Sequence, residues 1–433
     1  MHNHFQKFPS GEFPSRRVVT QRILAGGALW AVTLANGGGS AVAAQNKAPG
    51  GFSPERLKRV TAAMQGAVDR GEVDGIVTLL FRRGEVAQVN TVGWQDKAAQ
   101  TPVARDTIFR IASMTKPVTG VATLILIDDG KLKLDDPIDR WLPEFANPKV
   151  LRDPAALLDT AIPSPRPIRV VDLLTHRSGI ATPDTKPGPL VAALKEADAD
   201  KRLGFDAWIK RVAALPLAFE PGTTFGYGNS FDVLGVLVER VAGMKFADVL
   251  GKRIFAPLKM NDTAFWVPPE KRARLAAAPS RAGATPAALT SLPPFTAGAG
   301  GLVSTVDDYL KFARVLLDGG TSGEGRILSR RSVDYMTANY LTPEQRKVPF
   351  VGLPGFWAGD GFGLGVAVKD YLPVNSPVMG VASVGSYGWP GATGVWWEVD
   401  PKETMIQIFM VQGGNNEAAR RAFQATAYQA IDD

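Results

Sequence analysis

The two ends of the chain constrain its fold most. From Ser53 onward, Leu57, Val60, Met64 and Val68 recur at helical spacing, which predicts an amphipathic helix. Residues 76–81, the turn Arg82-Arg83-Gly84 and residues 86–92 then read as a β-hairpin. Near the other end, residues 395–399 and 405–412 read as strands split by the turn Asp400-Pro401-Lys402-Glu403. A helix with an apolar face follows over residues 416–431. The expected fold is α+β: an antiparallel sheet packed between terminal helices.

The stretch from about 137 to 286 is different. It is Ala-rich, helical in pattern and interrupted by prolines, and it reads as an inserted all-helical subdomain. Phe205, Trp208, Ile209 and Val212 form a helical stripe of the kind that belongs to a core. Ser230 is the expected cap of a helix over 231–242, stopped by Gly243. Ser304-Thr305-Val306-Asp307 reads as a capping box for a helix over 304–318, ended by Gly319-Gly320. The Pro/Gly-rich stretches 181–189, 279–301 and 341–364 are expected loops.

Residues 1–44 read as an export signal of the twin-arginine type. Arg16-Arg17 precedes an apolar run over 23–35 that is too short to span a bilayer, and Ala41-Val42-Ala43-Ala44 offers cleavage after Ala43 or Ala44. The expected location is the bacterial periplasm or beyond, with no stable membrane insertion after cleavage. The remaining chain, 53–433, is expected to be one hydrolytic domain carrying the helical insert.

The residue inventory excludes several chemistries. The chain of 433 residues is 45% hydrophobic and 21% charged, a soluble globular balance. It has no cysteine, so thiol nucleophiles, disulfides and thiolate metal sites are excluded. Its three histidines are His2, His4 and His176, and the first two fall in the expected leader. One remaining histidine cannot build a His-rich zinc site, and no metal or other cofactor is expected. A Ser-His-Asp triad would need His176, and Gly-x-Ser-x-Gly is missing. The net charge is +7, of which Lys7, Arg16, Arg17 and Arg22 against Glu12 put +3 in the leader. The remaining +4 forms no dense basic run, which argues against a nucleic-acid partner.

Ser113 and Lys116 stand three apart at the start of an apolar helix closed by Gly130. At that spacing they share one helix face, with β-carbons about 5–6 Å apart. A serine hydroxyl becomes a good nucleophile when a neighbouring base takes its proton, and a partly buried lysine can do so. The plain alternative is a capping serine beside a surface lysine. Tyr227-Gly228-Asn229 forms a Gly-rich turn before a helix and puts a phenol and an amide on a rigid corner. Tyr227 could relay a proton, and Asn229 could hold Lys116 or the substrate. Gly388-Trp389-Pro390-Gly391-Ala392-Thr393-Gly394 lies beside the late strands, where a Gly-rich edge lets a substrate approach backbone N–H groups.

Together these boxes resemble the serine β-lactamase/penicillin-binding-protein superfamily. Phe109-Arg110-Ile111-Ala112-Ser113-Met114-Thr115-Lys116 looks like its Ser-x-x-Lys box. Within it the chain is most similar to class C β-lactamases and family VIII carboxylesterases. Tyr227-Gly228-Asn229 after Glu220-Pro221-Gly222 looks like the group's Tyr-x-Asn box. Leu173-Leu174-Thr175-His176-Arg177-Ser178-Gly179 and Gly300-Gly301-Leu302-Val303-Ser304-Thr305 are further similar stretches, and the resemblance spans about 53–431. It implies a β-lactamase/transpeptidase-like fold with Ser113 as acyl nucleophile and Lys116 and Tyr227 as base and acid. It further implies substrate contacts from Asn229, Trp389, Gly391 and Ala392, and an oxyanion hole from the N–H groups of Ser113 and Ala392. Where class C enzymes carry Lys-Thr-Gly, this chain has Trp389-Pro390-Gly391. The missing lysine would meet a substrate carboxylate, so neutral acyl esters are favoured over lactams. The expected partner is a small-molecule ester or lactam. The competing expectations are a β-lactamase or D-amino-acid peptidase, and a catalytically silent cell-wall binding module. His176 is expected to be structural, in a turn remote in motif from the other boxes.

Overall fold

The computed structural model describes residues 48–182, 185–277, 289–372, 376–413 and 416–433. The expected leader, with Arg16, Arg17, Ala43 and Ala44, lies outside the described residues. Residues from Asn46 to Asp433 form one compact unit.

Its frame is a sheet of eight strands: β1 (Gly75–Arg82), β2 (Glu85–Asp96), β3 (Thr101–Pro102), β4 (Asp360–Phe362), β5 (Ala367–Lys369), β6 (Tyr387–Gly388), β7 (Trp396–Asp400) and β8 (Met405–Gln412). The order across the sheet is β4-β5-β6-β7-β8-β1-β2-β3, and every neighbouring pair is antiparallel. The two ends of the chain therefore meet at its centre, with Ile76 opposite Val411 and Leu79 opposite Ile408.

The period-2 alternation of these two strands builds two cores. Val77, Leu79 and Phe81 join Ile406, Ile408 and Met410 in the larger one. Ile76 and Leu80 join Met405, Phe409 and Val411 in the smaller one. The smaller core is closed by α1 (Pro54–Asp69), through Leu57, Val60 and Met64, and by the last helix, Glu417–Gln429, through Phe423 and Ala427. Ser53 caps α1 by accepting from the N–H of Arg56 at 3.4 Å. Both terminal helices thus cover one face, and the sheet does not lie between them. They attach by short connections to neighbouring antiparallel strands, which keeps them together.

The other face is covered by the helix carrying Tyr309 and Phe312 (Val306–Leu317) and by Thr115–Asp128, with Val118 and Val121. The stripe Phe205, Trp208, Ile209 and Val212 is buried as expected, in the same core as Leu79. The 137–286 region is therefore not separate from the sheet in packing. It is not all helical either, because Lys149–Val150 pairs with Ile162–Pro163.

Two expected caps are displaced by a residue. Ser230 lies inside the helix Ser230–Ala242, and its hydroxyl is 2.9 Å from that of Ser178 instead of capping. Ser304 belongs to a short strand, and Thr305 caps the next helix by accepting from the N–H of Asp308 at 3.3 Å. In both cases the serine hydroxyl found a buried tertiary partner. The expected stops are in place: Gly130, Gly243 and Gly319 all have positive φ.

Candidate active site

The serine segment enters the core as a strained corner. Phe109–Arg110 pairs with Val303–Ser304, with Phe109 opposite Ser304. The chain then turns through Ala112 at φ +42°, a region that costs a residue with a Cβ about 1–2 kcal/mol. Ser113 follows in a single 3₁₀ turn (Ala112–Met114), and the α-helix Thr115–Asp128 starts behind it. Three bonds pin this helix to its surroundings. Tyr309 donates to the carbonyl of Met114 at 2.8 Å. Thr119 donates to that of Gly298 at 2.7 Å. The N–H of Leu302 reaches Thr115 Oγ1 at 3.2 Å.

Two groups converge on the Ser113 hydroxyl. Lys116 Nζ lies 3.0 Å from Oγ, and the Tyr227 hydroxyl donates to it at 2.8 Å. Lys116 also donates to the carbonyl of Ala299 at 2.7 Å and lies 4.5 Å from the centre of the Tyr227 ring. Only 3% of Lys116 is exposed, so its flexible stem is held by packing as well as by these bonds. The spacing-based expectation that Ser113 and Lys116 meet, with Tyr227 beside them, matches this placement.

The late glycine-rich stretch closes against the same corner. Gly391 donates to the carbonyl of Val395 and accepts from Gly394, both at 2.8 Å. Thr393 Oγ1 donates to the carbonyl of Arg110 at 2.7 Å. A Cβ on Gly391 would stand 2.4 Å from the carbonyl oxygen of Ile111, so glycine is required for this approach. Ala392 is exposed at the turn, and among the described residues nothing accepts from its N–H.

Two expected substrate contacts are placed elsewhere. Asn229 does not face Lys116. Its amide donates to Asp198 at 3.1 Å and accepts from Lys201 at 3.3 Å, because that ion pair sits beside the start of its helix. Trp389 is 1% exposed inside an aromatic cluster with Phe350, Trp357 and Phe362. It reaches the site through Tyr227, whose oxygen accepts from its indole N–H at 3.2 Å.

His176 packs beside Tyr227 as a buried ring. Its ring packs 4.6 Å from that of Tyr227, and its Nδ1 accepts from the N–H of Gly228 at 3.4 Å. Complete burial pushes the imidazole well below its usual range, and the nearby Lys116 charge adds to this. It is a neutral wall behind the phenol. Beside Tyr227 a cavity of about 350 Å³ is walled by Phe219, Phe225 and Phe350, with Thr182 and Lys186 at its edge.

Asp232 and Ala299 escaped the sequence reading. Asp232 is 2% exposed and accepts from the N–H of Ala299 at 2.9 Å, on the residue whose carbonyl holds Lys116. A lone carboxylate within the apolar run Phe231-Asp232-Val233-Leu234 was the available signal. Among the described residues no group of three or more metal-binding side chains is found, and no helix is long and apolar enough to cross a membrane.

The fold and these boxes define a serine hydrolase of the β-lactamase fold. Residues 60–431 match the beta-lactamase family, and the chain belongs to it. Protein Rv1367c of Mycobacterium tuberculosis is 39% identical over 358 residues, covering 81% of this chain and 88% of that protein. Lovastatin esterase of Penicillium rubens is 29% identical, covering 80% and 91%. Among solved structures, EstCE1, a hydrolase with promiscuous acyltransferase activity, superposes with a TM-score of 0.71. It is 26% identical, over 87% of this chain and 98% of its own.

Proposed function

We propose that the protein is an exported esterase that cleaves short acyl esters through an acyl-enzyme on Ser113. One observation carries this: an amine and a phenol converge on one half-buried hydroxyl, at 3.0 and 2.8 Å. Ser113 Oγ attacks the ester carbonyl carbon, and its proton passes to the Lys116–Tyr227 pair. The same pair returns that proton to the departing alkoxide oxygen. Water then attacks the acyl-enzyme by the same route and releases the acid. The N–H groups of Ser113 and Ala392 receive the charge on the carbonyl oxygen, a term worth about 3–4 kcal/mol per donor. The indole N–H of Trp389 supports negative charge arising on the Tyr227 oxygen.

Labelling the purified protein with a fluorophosphonate and mapping the adduct tests this reading. The adduct is expected on Ser113 alone; an adduct on another residue, with Ser113 unlabelled, overturns it. Export rests on Arg16-Arg17 and the apolar run behind them. A periplasmic protein beginning at Ala44 or Gln45 is the expected product, and an uncut Met1 start would refute it.

A further inference from the structure

Lys116 is a flexible side chain that must present its nitrogen to one oxygen. Its second partner is the Ala299 carbonyl, at 2.7 Å, so the position of Ala299 fixes the direction of the amine. Ala299 belongs to a loop, and loops do not hold positions by themselves. What holds it is a part-buried charged relay, of which Asp232 is the buried member. The N–H of Ala299 donates to Asp232 Oδ1 at 2.9 Å. Lys201 Nζ lies 2.9 Å from Asp232 Oδ2, on the other carboxylate oxygen. Lys201 is in turn held by Asp198 at 3.3 Å and Asn229 Oδ1 at 3.3 Å. It also lies 5.2 Å and 5.3 Å from the ring centres of Trp208 and Phe295. Asp198 is fixed by the Trp208 indole N–H at 3.0 Å and by the Asn229 amide. Every member is tied at two or more points, so the relay is rigid.

We infer that Asp232, oriented by Lys201, is a positioning residue for the reaction: through the Ala299 backbone it sets where the Lys116 nitrogen points. This rests on the reading of Ser113 as nucleophile. Asp232 touches neither Ser113 nor the reacting atoms. The relay also gives Asn229 a place: its side chain fixes Lys201 and Asp198 and reaches Lys116 only through them. A stem displaced by about 1 Å is enough to cost on the order of 10²-fold in rate.

The test uses the full mature chain and a nitrophenyl ester. Rates are normalised to the fraction of protein that a fluorophosphonate labels at completion, which counts only folded, competent sites. Asp232→Ala should lower kcat on the order of 10²-fold with KM within about twofold, and slow labelling of Ser113 in parallel. Asp232→Asn keeps an oxygen for the Ala299 N–H and should restore at least about tenfold of that loss. Lys201→Met should fall between the two. Wild-type kcat per competent site in Asp232→Ala overturns the inference while leaving Ser113 as nucleophile. An Asp232→Asn enzyme no faster than Asp232→Ala overturns it as well. A wild-type protein that labels elsewhere than Ser113 overturns the esterase reading itself.

Discussion

Among the described residues, two clusters of buried polar groups make a contrast, and one of them has the form of a site. Around Ser113, an amine and a phenol point at the hydroxyl of one part-buried residue. Around Glu398, the polar groups point at each other. Its carboxyl meets the Tyr428 hydroxyl at 2.7 Å, Gln424 Nε2 at 2.6 Å and Gln407 Nε2 at 3.3 Å. Tyr428 also reaches Asp400 at 2.7 Å, although it has one hydrogen for two carboxyl groups. That count requires a proton on a carboxyl. Glu398 is the one that holds it, since burial raises its pKa to about 8 and the Asp400 charge adds to the rise, against its bonds to Tyr428 and Gln424. Burial of polar groups is therefore common to chemistry and to architecture. What separates the clusters is a part-exposed hydroxyl on which two other groups converge in one, and buried groups bonded mostly to each other in the other.

The largest effect breaks the first cluster. Ser113→Ala should lower esterase kcat by on the order of 10⁴-fold or more, and Lys116→Ala and Tyr227→Phe should lose comparable amounts without adding, because the three act as a unit. Steady-state kinetics of the single and double variants check this. Full activity in Ser113→Ala would place the chemistry elsewhere.

The second cluster should respond in stability and not in rate. Unfolded, Glu398 ionises near 4.5; folded, near 8. A raised folded pKa means that the stabilisation is fully present below about 4.5 and is lost as pH rises through about 8. Its upper bound is roughly 5 kcal/mol. Glu398→Gln cannot titrate, so the Tm of wild type should fall relative to that of the variant between pH 5 and pH 8.5, while kcat stays the same. Parallel melting curves across that range would show that Glu398 keeps an ordinary ionisation.

The contrast also explains what was legible in the sequence. Ser113, Lys116 and the helix behind them are local, so spacing alone places them on one face. Tyr227 comes from 114 positions away, and only its Gly-rich turn before a helix marked it. Both terminal segments declared their periods, and the hairpin, strands and helices appear where expected. Tertiary partners were not readable. Asn229 lost its place on Lys116 to Lys201 and Asp198. Ser230 and Ser304 lost their capping roles to Ser178 and Thr263. Glu398 had no signal at all, since its partners lie on two other elements. Which face of the sheet the terminal helices share also depends on strand order, which periodicity does not encode.

The next effect concerns substrate charge. Class C β-lactamases have a lysine where this chain has Trp389-Pro390-Gly391, and Trp389 is buried against Tyr227. A lactam's carboxylate there loses a charge-assisted bond worth about 1.5–3 kcal/mol. Expelling an amide nitrogen also asks more of the acid than expelling a nitrophenolate. The kcat/KM for a short-chain nitrophenyl ester should exceed that for a chromogenic cephalosporin by at least roughly 100-fold, or about 2.7 kcal/mol. Both substrates measured on one preparation give the ratio, and a value near one would make the enzyme a β-lactamase. Trp389→Lys is not the way to convert it. The new ammonium would be buried among Phe350, Trp357 and Phe362, and the fold would pay before specificity changed.

The smallest effect separates packing from chemistry inside one aromatic cluster. Trp389 and Trp357 stack there with ring centres 6.3 Å apart and planes 16° apart. Both are buried, but their indole N–H groups differ. That of Trp389 donates to the Tyr227 oxygen, whereas that of Trp357 has no partner among the described residues. Trp389→Phe removes one neutral hydrogen bond, about 0.5–1.5 kcal/mol, at the oxygen that carries the proton. If that bond strengthens as charge develops, kcat should fall about tenfold with KM unchanged. Trp357→Phe removes a similar volume of indole and no bond, so kcat should hold within about twofold. Both variants create a small cavity and should lose similar stability, which thermal melts would register. Equal losses of kcat in the two would reduce Trp389 to packing, and its N–H···O contact to Tyr227 would then carry no part of the chemistry.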